Sequence, residues 1–212
     1  MEIDLHIHTN RYSGCSNINP KEVLKKAKRV GLDGIAFTEH GIRWSDEQIS
    51  ILIEKAKIEN LLVFAGQEVA CYTSYGQFQG ELLVYGYPKS LGSNRSIEQV
   101  IRLVHAEGGV VIAAHPFKKL QTGEGYYGVG HTIYDFSVDG LEIEHPSYDD
   151  DSRNLAKQAM KQMKIAGIGS SDSHDLRSVG MCRTVFEKTV TSMESLCEEI
   201  RAKRLKAINL LR

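Results

Sequence analysis

One stretch decides the fold class of this sequence: Met1–Gly41, which reads MEIDLHIHTNRYSGCSNINPKEVLKKAKRVGLDGIAFTEHG. Its apolar residues over Ile3–Ile7 predict a strand. Proline in the first turn and apolar side chains at helical spacing then predict a helix over Pro20–Val30. Gly34–Thr38 is a short apolar run and predicts a second strand. A strand, a helix and a second strand in this order are typical of parallel pairing in an α/β fold.

The same alternation of strand and helix continues to the end of the 212-residue chain. About seven such units fit one barrel-like domain over residues 1–212, slightly smaller than the usual eightfold barrel. A doubly wound open sheet is the alternative, and periodicity alone does not separate the two. The further predicted strands are Leu61–Val69, Glu81–Tyr85, Val110–Ala114, Gly140–Glu144, Ile168–Ser171 and Ala207–Leu211. The further predicted helices run from Ser45 or Asp46 to Glu59 and over Ile97–Ala106, Asp151–Ile165 and Ser192–Lys203.

Composition and charge narrow the class of protein. The chain is 42% hydrophobic and 25% charged, which is ordinary for a soluble globular domain. Its net charge of -1 gives no basic footprint, so we expect no stable nucleic-acid complex. No apolar run reaches the ~18 residues of a membrane helix, and charges in the N-terminal stretch argue against a signal peptide. The four cysteines form no Cys-x-x-Cys pair, and we predict a cytoplasmic protein without a membrane partner. The oligomeric state stays open.

Histidines and acids gather at the ends of the predicted strands. Parallel α/β folds build their active sites at the carboxyl ends of the strands, so residues far apart in sequence would meet there. His6 and His8 are two residues apart on a strand and point to the same side, and Asp172 and His174 repeat this spacing. The full set of strand-end candidates is His6, His8, His40, Glu68, His115, His145, Asp172 and His174.

These residue types predict a metal centre. Neutral imidazoles and carboxylates are the ligands that zinc, manganese and iron take in proteins. Six histidines and two acids exceed what one four- or five-coordinate ion needs. We therefore predict two or three divalent metal ions that share a bridging carboxylate, for which Glu68 is the candidate.

Five segments resemble, in order, the motifs of the PHP (polymerase and histidinol phosphatase) family. The segments are DLHIHT at 4–9, FTEHG at 37–41, GQE at 66–68, AAHPF at 113–117 and GSSDSH at 169–174, and they span most of the chain. Residues 13–41 are particularly similar to stand-alone PHP phosphoesterases. The resemblance implies a distorted (β/α)7 TIM-like barrel, a centre of two or three metals and hydrolysis of a phosphate ester.

The resemblance also implies ligand assignments for the first two ions. His6, His8, Glu68 and Asp172 would hold the first ion. Glu68 would bridge to a second ion, which His115 would also bind. These five residues form the two-metal core that the resemblance supports best.

A third ion and its ligands depend on a departure from the family pattern. His40 and His174 would hold this ion. Many members carry an aspartate that helps to bind it, whereas this sequence has Gly14 at that place, followed by Cys15. Cys15 is either a substitute ligand or a structural thiol. His145, in LEIEHPS at 141–147, stands where relatives carry Asn or His and is interpreted as a ligand or a substrate contact.

The expected reaction is hydrolysis of a phosphate mono- or diester by a metal-bridged hydroxide. His40, His145 or His174 would return a proton to the leaving oxygen. Lys118 and Arg177 lie in predicted mouth loops and are candidates for binding the phosphate.

The substrate is expected to be a small phosphorylated compound or a nucleotide, and the sequence does not choose among them. A metal-dependent amidohydrolase is the first alternative, and a non-catalytic component of an RNA-processing particle is the second. Glu81 stands where relatives often carry a histidine on the strand after the bridging glutamate. It is interpreted either as a carboxylate ligand or as a solvated strand residue.

Overall fold

The computed structural model describes residues 1–211, which form ten strands and five α-helices. The strands are β1 (Glu2–Ile7), β2 (Gly34–Phe37), β3 (Leu62–Ala65), β4 (Gln67–Tyr72), β5 (Phe78–Tyr85), β6 (Val110–Ala113), β7 (Gly140–Glu144), β8 (Ala166–Gly169), β9 (Cys182–Phe186) and β10 (Leu205–Asn209). The helices are α1 (Pro20–Arg29), α2 (Asp46–Ala56), α3 (Ile97–Ala106), α4 (Asp150–Met163) and α5 (Met193–Arg201), with a 3-10 helix over Gly130–Asp135.

The strands form two five-stranded mixed sheets. The first has the order β10-β9-β1-β2-β3, in which β1, β2 and β3 are parallel and β9 is antiparallel to both of its neighbours. The second has the order β4-β5-β6-β7-β8, in which β6, β7 and β8 are parallel and β5 is antiparallel to both of its neighbours. The fold is therefore mixed α/β and single-domain. Across residues 1–211, however, the strand pairing divides into two sheets and does not close into the predicted seven-unit barrel.

The division begins inside a segment that the sequence analysis treats as one strand. The predicted strand Leu61–Val69 is two strands, β3 and β4, which belong to different sheets and are separated by Gly66. A Cβ atom at position 66 would lie 2.8 Å from the buried ring of Tyr85, so only glycine fits against that ring. The chain therefore changes sheets at this point, and β4 pairs antiparallel with β5.

A second difference lies near the C-terminus, where the sequence analysis predicts no strand between Ile168–Ser171 and the last helix. The structure places β9 there, antiparallel to both β1 and β10. Its central residues, Arg183 and Thr184, are polar yet buried, so hydropathy gives no strand pattern. The side chain of Thr184 also donates to the carbonyl of Gly169 (2.9 Å), which links β9 to β8 of the other sheet.

Each helix begins where its capping residues indicate. Ser45 and Ser96 each form a reciprocal capping box with the glutamine three residues later. The buried faces of the helices carry apolar residues that pack against the sheets, as in α3 with Ile97, Val100 and Val104. None of the helices in the described chain is long and apolar enough to cross a membrane.

Backbone hydrogen bonds join the two sheets at the ends of β1 and β2. The amide of Gly41 donates to the carbonyl of Glu68 (2.6 Å), and the amide of Glu68 donates to the carbonyl of Glu39 (3.0 Å). The amide of His8 donates to the carbonyl of Ser173 (3.0 Å), beyond the end of β8. We call these backbone hydrogen bonds the seam: they join Glu68 to Glu39 and Gly41, and His8 to Ser173. The seam joins four segments that carry predicted ligands: those around His8, His40, Glu68 and Ser173.

Candidate metal centre

Strand β1 places two histidines on the same side of the sheet, at its carboxyl end. His6 lies within β1 and His8 just beyond it, and both side chains are fully buried. Their Nε2 atoms are 3.0 Å apart. Two imidazole nitrogens this close in a buried site need either a shared proton or a bound cation between them.

Glu68 faces four histidines, with two at each carboxylate oxygen. Its Oε1 atom lies 3.2 Å from Nε2 of His6 and 3.1 Å from Nε2 of His115. Its Oε2 atom lies 3.3 Å from Nε2 of His8 and 3.0 Å from Nδ1 of His40. Each oxygen of Glu68 thus has imidazole nitrogens beside it, as a carboxylate that bridges two ions requires.

Asp172 is the second buried carboxylate of the cluster. Its Oδ1 atom lies 3.4 Å from Nε2 of both His6 and His8. Its Oδ2 atom lies 3.3 Å from Nε2 of His145 and 3.0 Å from the ammonium of Lys118. His174 donates from Nδ1 to the main-chain carbonyl of Asp172 at 2.9 Å, so its other ring nitrogen is the one available for a ligand.

The structure thus brings all the strand-end candidates into one cluster. Donor atoms of five of these candidates and of Glu81 form three overlapping groups in which every member lies within 4.8 Å of the others. The groups are His6, His8 and Glu68; His8, His40 and His174; and His40, Glu68 and Glu81. Imidazole nitrogens and carboxylate oxygens at this spacing fit divalent metal ions.

Two residues of the cluster have backbone conformations that side chains rarely adopt. His115 has φ 26° and Asp172 has φ 46°. Gly128 lies so close to the first of these that a Cβ atom there would meet the carbonyl of His115 at 2.5 Å. Unusual backbone at two cluster residues is typical of functional sites, where the surrounding structure holds side chains in a required direction.

Glu142 is a buried carboxylate of this site that the sequence analysis missed. Its Oε1 atom lies 2.9 Å from Nδ1 of His6, and its other oxygen accepts from the main-chain amide of His115. The hydroxyl of Ser170 also donates to it. Burial raises the pKa of Glu142, but the charge and hydrogen bond of His6 outweigh it and lower that pKa to about 2. An acid inside the apolar strand LEIE was the available sequence signal.

Asp4 is a second buried acid that the sequence analysis missed. It accepts from the amide (3.0 Å) and the hydroxyl (2.5 Å) of Ser171 and from the amide of Gly180 (2.8 Å). Burial raises the pKa of Asp4 to about 6 in spite of these donors. The contacts fix the segment that leads into Asp172, so Asp4 acts on the site through the backbone.

The electrostatics of the cluster are those of a strongly coupled set of opposite charges. Burial raises the pKa of Glu68, but His6, His115 and His40 lower it well below its usual range. Burial lowers the pKa of His8, but hydrogen bonds to Asp172 and Glu68 raise it to about 9. In the metal-free protein, Glu68 and Asp172, whose pKa values are both lowered, are therefore ionised, and protons on His8 occupy a position that a cation would take.

Glu81 and Cys15, whose roles the sequence leaves open, both face the cluster. Oε2 of Glu81 lies 3.4 Å from Nε2 of His115. Burial, followed by the charge of Glu68, raises the pKa of Glu81 to about 7. The Sγ atom of Cys15 lies 3.2 Å from Nε2 of His40. Neither side chain is directed away from the site.

The two candidate phosphate-binding cations lie in different surroundings. Lys118 is mostly buried and contacts Asp172. Burial lowers the pKa of Lys118, but Asp172 raises it above its usual value, so the side chain is a cation. The side chain of Arg177 is 89% exposed and pairs with Asp175, at 3.3 Å. The structure does not bring Arg177 to the cluster, and its catalytic role remains a prediction.

Two family models match this chain. The model for the PHP domain matches residues 4–143, and the model described as PHP-associated matches residues 151–205. An uncharacterized protein of Methanocaldococcus jannaschii is 29% identical over 153 residues, which cover 68% of this chain and 81% of that protein.

Solved structures share the fold at low sequence identity. One is a two-domain protein from Bacteroides vulgatus that contains a predicted PHP-like metal-dependent phosphoesterase. It has a TM-score of 0.74 at 17% identity, covering 99% of this chain and 64% of that one. Another is an amidohydrolase from Chromobacterium violaceum, solved with sulfate and no metal. It has a TM-score of 0.66 at 14% identity, covering 99% and 98%. With two thirds of its length matched by the PHP domain model, the chain belongs to the PHP domain family.

Proposed function

We propose that this protein is a metal-dependent phosphoesterase that hydrolyses a phosphate mono- or diester of a small molecule or nucleotide. The observation that supports it most is the division of four histidines between the two oxygens of Glu68. His6, His8, Glu68 and Asp172 would hold one ion, and Glu68 with His115 a second. Ions bound there lower the pKa of a coordinated water and polarise the phosphoryl oxygens.

The chain's own residues would bind and orient the ester. Lys118 offers an ammonium at the edge of the cluster, 3.0 Å from Asp172, where it would pair with a non-bridging phosphate oxygen. His145 and His174 both contact Asp172, and either would supply a proton to the leaving oxygen. Glu142 would hold His6 in one tautomer and one orientation.

A third ion is part of the proposal at a separate group of donors. His8, His40 and His174 converge there, and Cys15 lies next to His40. With Gly14 in place of the usual acid, this group carries less negative charge than the Glu68 group. We therefore propose that two ions bind tightly and that a third binds more weakly.

The second candidate function is hydrolysis of a C–N bond, which the fold shared with an amidohydrolase favours. Amidohydrolases often use a carboxylated lysine to bridge two metal ions. Carboxylation of a lysine requires its amine to be neutral. Lys118 is the lysine at this cluster, and its pKa is raised because Asp172 outweighs the effect of burial. A lysine that stays a cation at the edge of the cluster suits a phosphate anion better than a neutral amide.

The test is a screen for phosphate release by purified protein whose metal content is measured in the same preparation. We expect at least two divalent ions per chain, turnover of at least one phosphate ester and none in a parallel amide panel. His8→Ala and Asp172→Ala should abolish turnover, whereas His105→Ala, which changes a histidine paired with Asp139 outside the cluster, should retain it. Fewer than two ions per chain, or turnover in His8→Ala with its fold intact, would overturn the proposal.

A further inference from the structure

Glu39 is a buried carboxylate with no place in the mechanism above. It follows β2, beside His40 in the chain, and its side chain is fully buried. It accepts hydrogen bonds from the amide of Thr9 (3.0 Å), the hydroxyl of Ser13 (2.5 Å) and the indole nitrogen of Trp44 (3.0 Å). The hydroxyl of Thr9 donates to it as well. No lysine or arginine of residues 1–211 forms an ion pair with it, so these donors alone stabilise the carboxylate.

One of these donors leads directly to a predicted ligand. The Oγ atom of Ser13 lies 3.2 Å from Nδ1 of His8. A hydroxyl has one proton, and Ser13 donates it to Glu39 at 2.5 Å, the shorter of its two side-chain contacts. Only lone pairs of Ser13 therefore face His8, and Nδ1 of His8 must be the nitrogen that carries hydrogen. In the neutral ring, Nε2 is then unprotonated, and this is the nitrogen that faces Glu68 and Asp172.

We propose that Glu39 is a positioning residue that acts through Ser13 to fix the tautomer and orientation of His8 for the first metal ion. The inference rests on the metal centre of the proposed function but not on its phosphate substrate. Glu142 would orient His6 in the same way by direct contact, since its Oε1 atom lies 2.9 Å from Nδ1 of His6. Each of the two neighbouring histidines would thus be oriented by a carboxylate: His6 by Glu142 directly, and His8 by Glu39 through the hydroxyl of Ser13.

The first test measures metal affinity without any substrate. Metal-free protein is titrated with Zn²⁺ in competition with a chromogenic chelator. Loss of such an outer partner typically weakens metal binding about 10- to 100-fold, and we expect this for both Ser13→Ala and Glu39→Gln. Ser13→Thr, which keeps the hydroxyl, should restore the affinity. The Ser13→Ala/Glu39→Gln double variant should bind no more weakly than the worse single variant, because both changes break one path.

The matched control removes a different hydrogen bond to the same carboxylate. Trp44→Phe loses the indole donor to Glu39 but leaves the link from Ser13 to His8 intact. Its zinc affinity should stay within about twofold of the wild-type value. If Glu39 had only a structural role, Trp44→Phe and Ser13→Ala should lower the zinc affinity equally. In the zinc-loaded wild type, nitrogen-15 NMR should show a protonated Nδ1 in His8.

Three outcomes would overturn the inference: wild-type affinity in Ser13→Ala, an equal loss in Trp44→Phe, or an unprotonated Nδ1 in the zinc form. If Glu39→Gln does not fold, the pair Ser13→Ala and Trp44→Phe still decides it. Because no turnover is measured, absence of phosphoesterase activity would reject the proposed function and leave this result standing.

Discussion

The Oε1 atom of Glu142 lies 2.9 Å from Nδ1 of His6, the ring nitrogen opposite the one that faces Glu68. This contact makes Nδ1 the hydrogen-bond donor and leaves Nε2 for a metal. We expect Glu142→Gln to weaken binding of the first ion by about 10- to 100-fold, as outer partners of metal ligands typically do. Calorimetric titration of the metal-free protein with Zn²⁺ measures the change.

Glu144 supplies the control for that variant. It lies on the same strand but pairs with Arg153 at 2.9 Å and Lys157 at 2.6 Å, not with a ligand. Glu144→Gln should lower the melting temperature and leave the zinc affinity unchanged. Equal zinc affinities for Glu142→Gln and the wild type would show that this carboxylate does not orient His6.

Lys118 is expected to contribute to phosphate binding. Replacing it with Met keeps most of its length and removes the charge. A hydrogen bond to a charged group contributes about 1.5–3 kcal/mol, so kcat/KM for a phosphate ester should fall roughly ten- to hundredfold. Lys119→Met is the matched control, because Lys119 pairs with Asp149 at 2.7 Å. Steady-state kinetics with similar losses in the two variants would contradict a specific role for Lys118.

Gly14 offers a way to test the third ion. A Cβ atom there meets no heavy atom within 4 Å, so a side chain fits without strain. Gly14 precedes Cys15, whose Sγ atom lies 3.2 Å from Nε2 of His40, and if Gly14→Asp adds a carboxylate to that group, the third ion should bind at least about tenfold more tightly. Metal content at graded free Zn²⁺ measures this. Gly14→Asn has the same size without the charge, and an equal gain in that variant would refute the electrostatic explanation.

Metal binding should depend on pH in a definite direction. In the metal-free protein the pKa of His8 is raised to about 9, because its hydrogen bonds to Asp172 and Glu68 outweigh burial. An ion must displace that proton, so the apparent affinity should rise with pH up to about 9, roughly tenfold per pH unit for each proton released. Zinc titrations at pH 6, 7 and 8 in two buffers of different ionisation enthalpy would count the protons. An affinity independent of pH would contradict this account.

The sequence predicted the α/β class of the fold, but not that its strands divide into two sheets. Capping residues and helical spacing located α1, α2 and α3 to within a few residues. The change of sheet at Gly66 was hidden, because the apolar run on both sides of it looks like one strand. That glycine is required by the ring of Tyr85, which is distant in sequence. Contacts of this kind have no local signature, since they depend on the partner strand.

Residues predicted as ligands could be found because imidazoles and acids at strand ends are rare without a function. Glu39, Glu142 and Asp4 were missed for the opposite reason. They lie inside or beside strands and contact predicted ligands or the residues next to them, so only their burial and contacts identify them. The exposed position of Arg177 was equally hidden, because a loop position in sequence does not give the direction of a side chain.

The seam joins the two sheets at the residues that would hold the ions. His8 comes from the first sheet and Glu68 from the second, and one ion would bind both. Metal binding should therefore raise the free energy of unfolding of the whole described chain. Without metal, the seam should open more often, and the amide protons of Gly41 and Glu68 should exchange faster than in the metal-loaded protein. A cofactor placed this way would make each sheet sensitive to damage in the other.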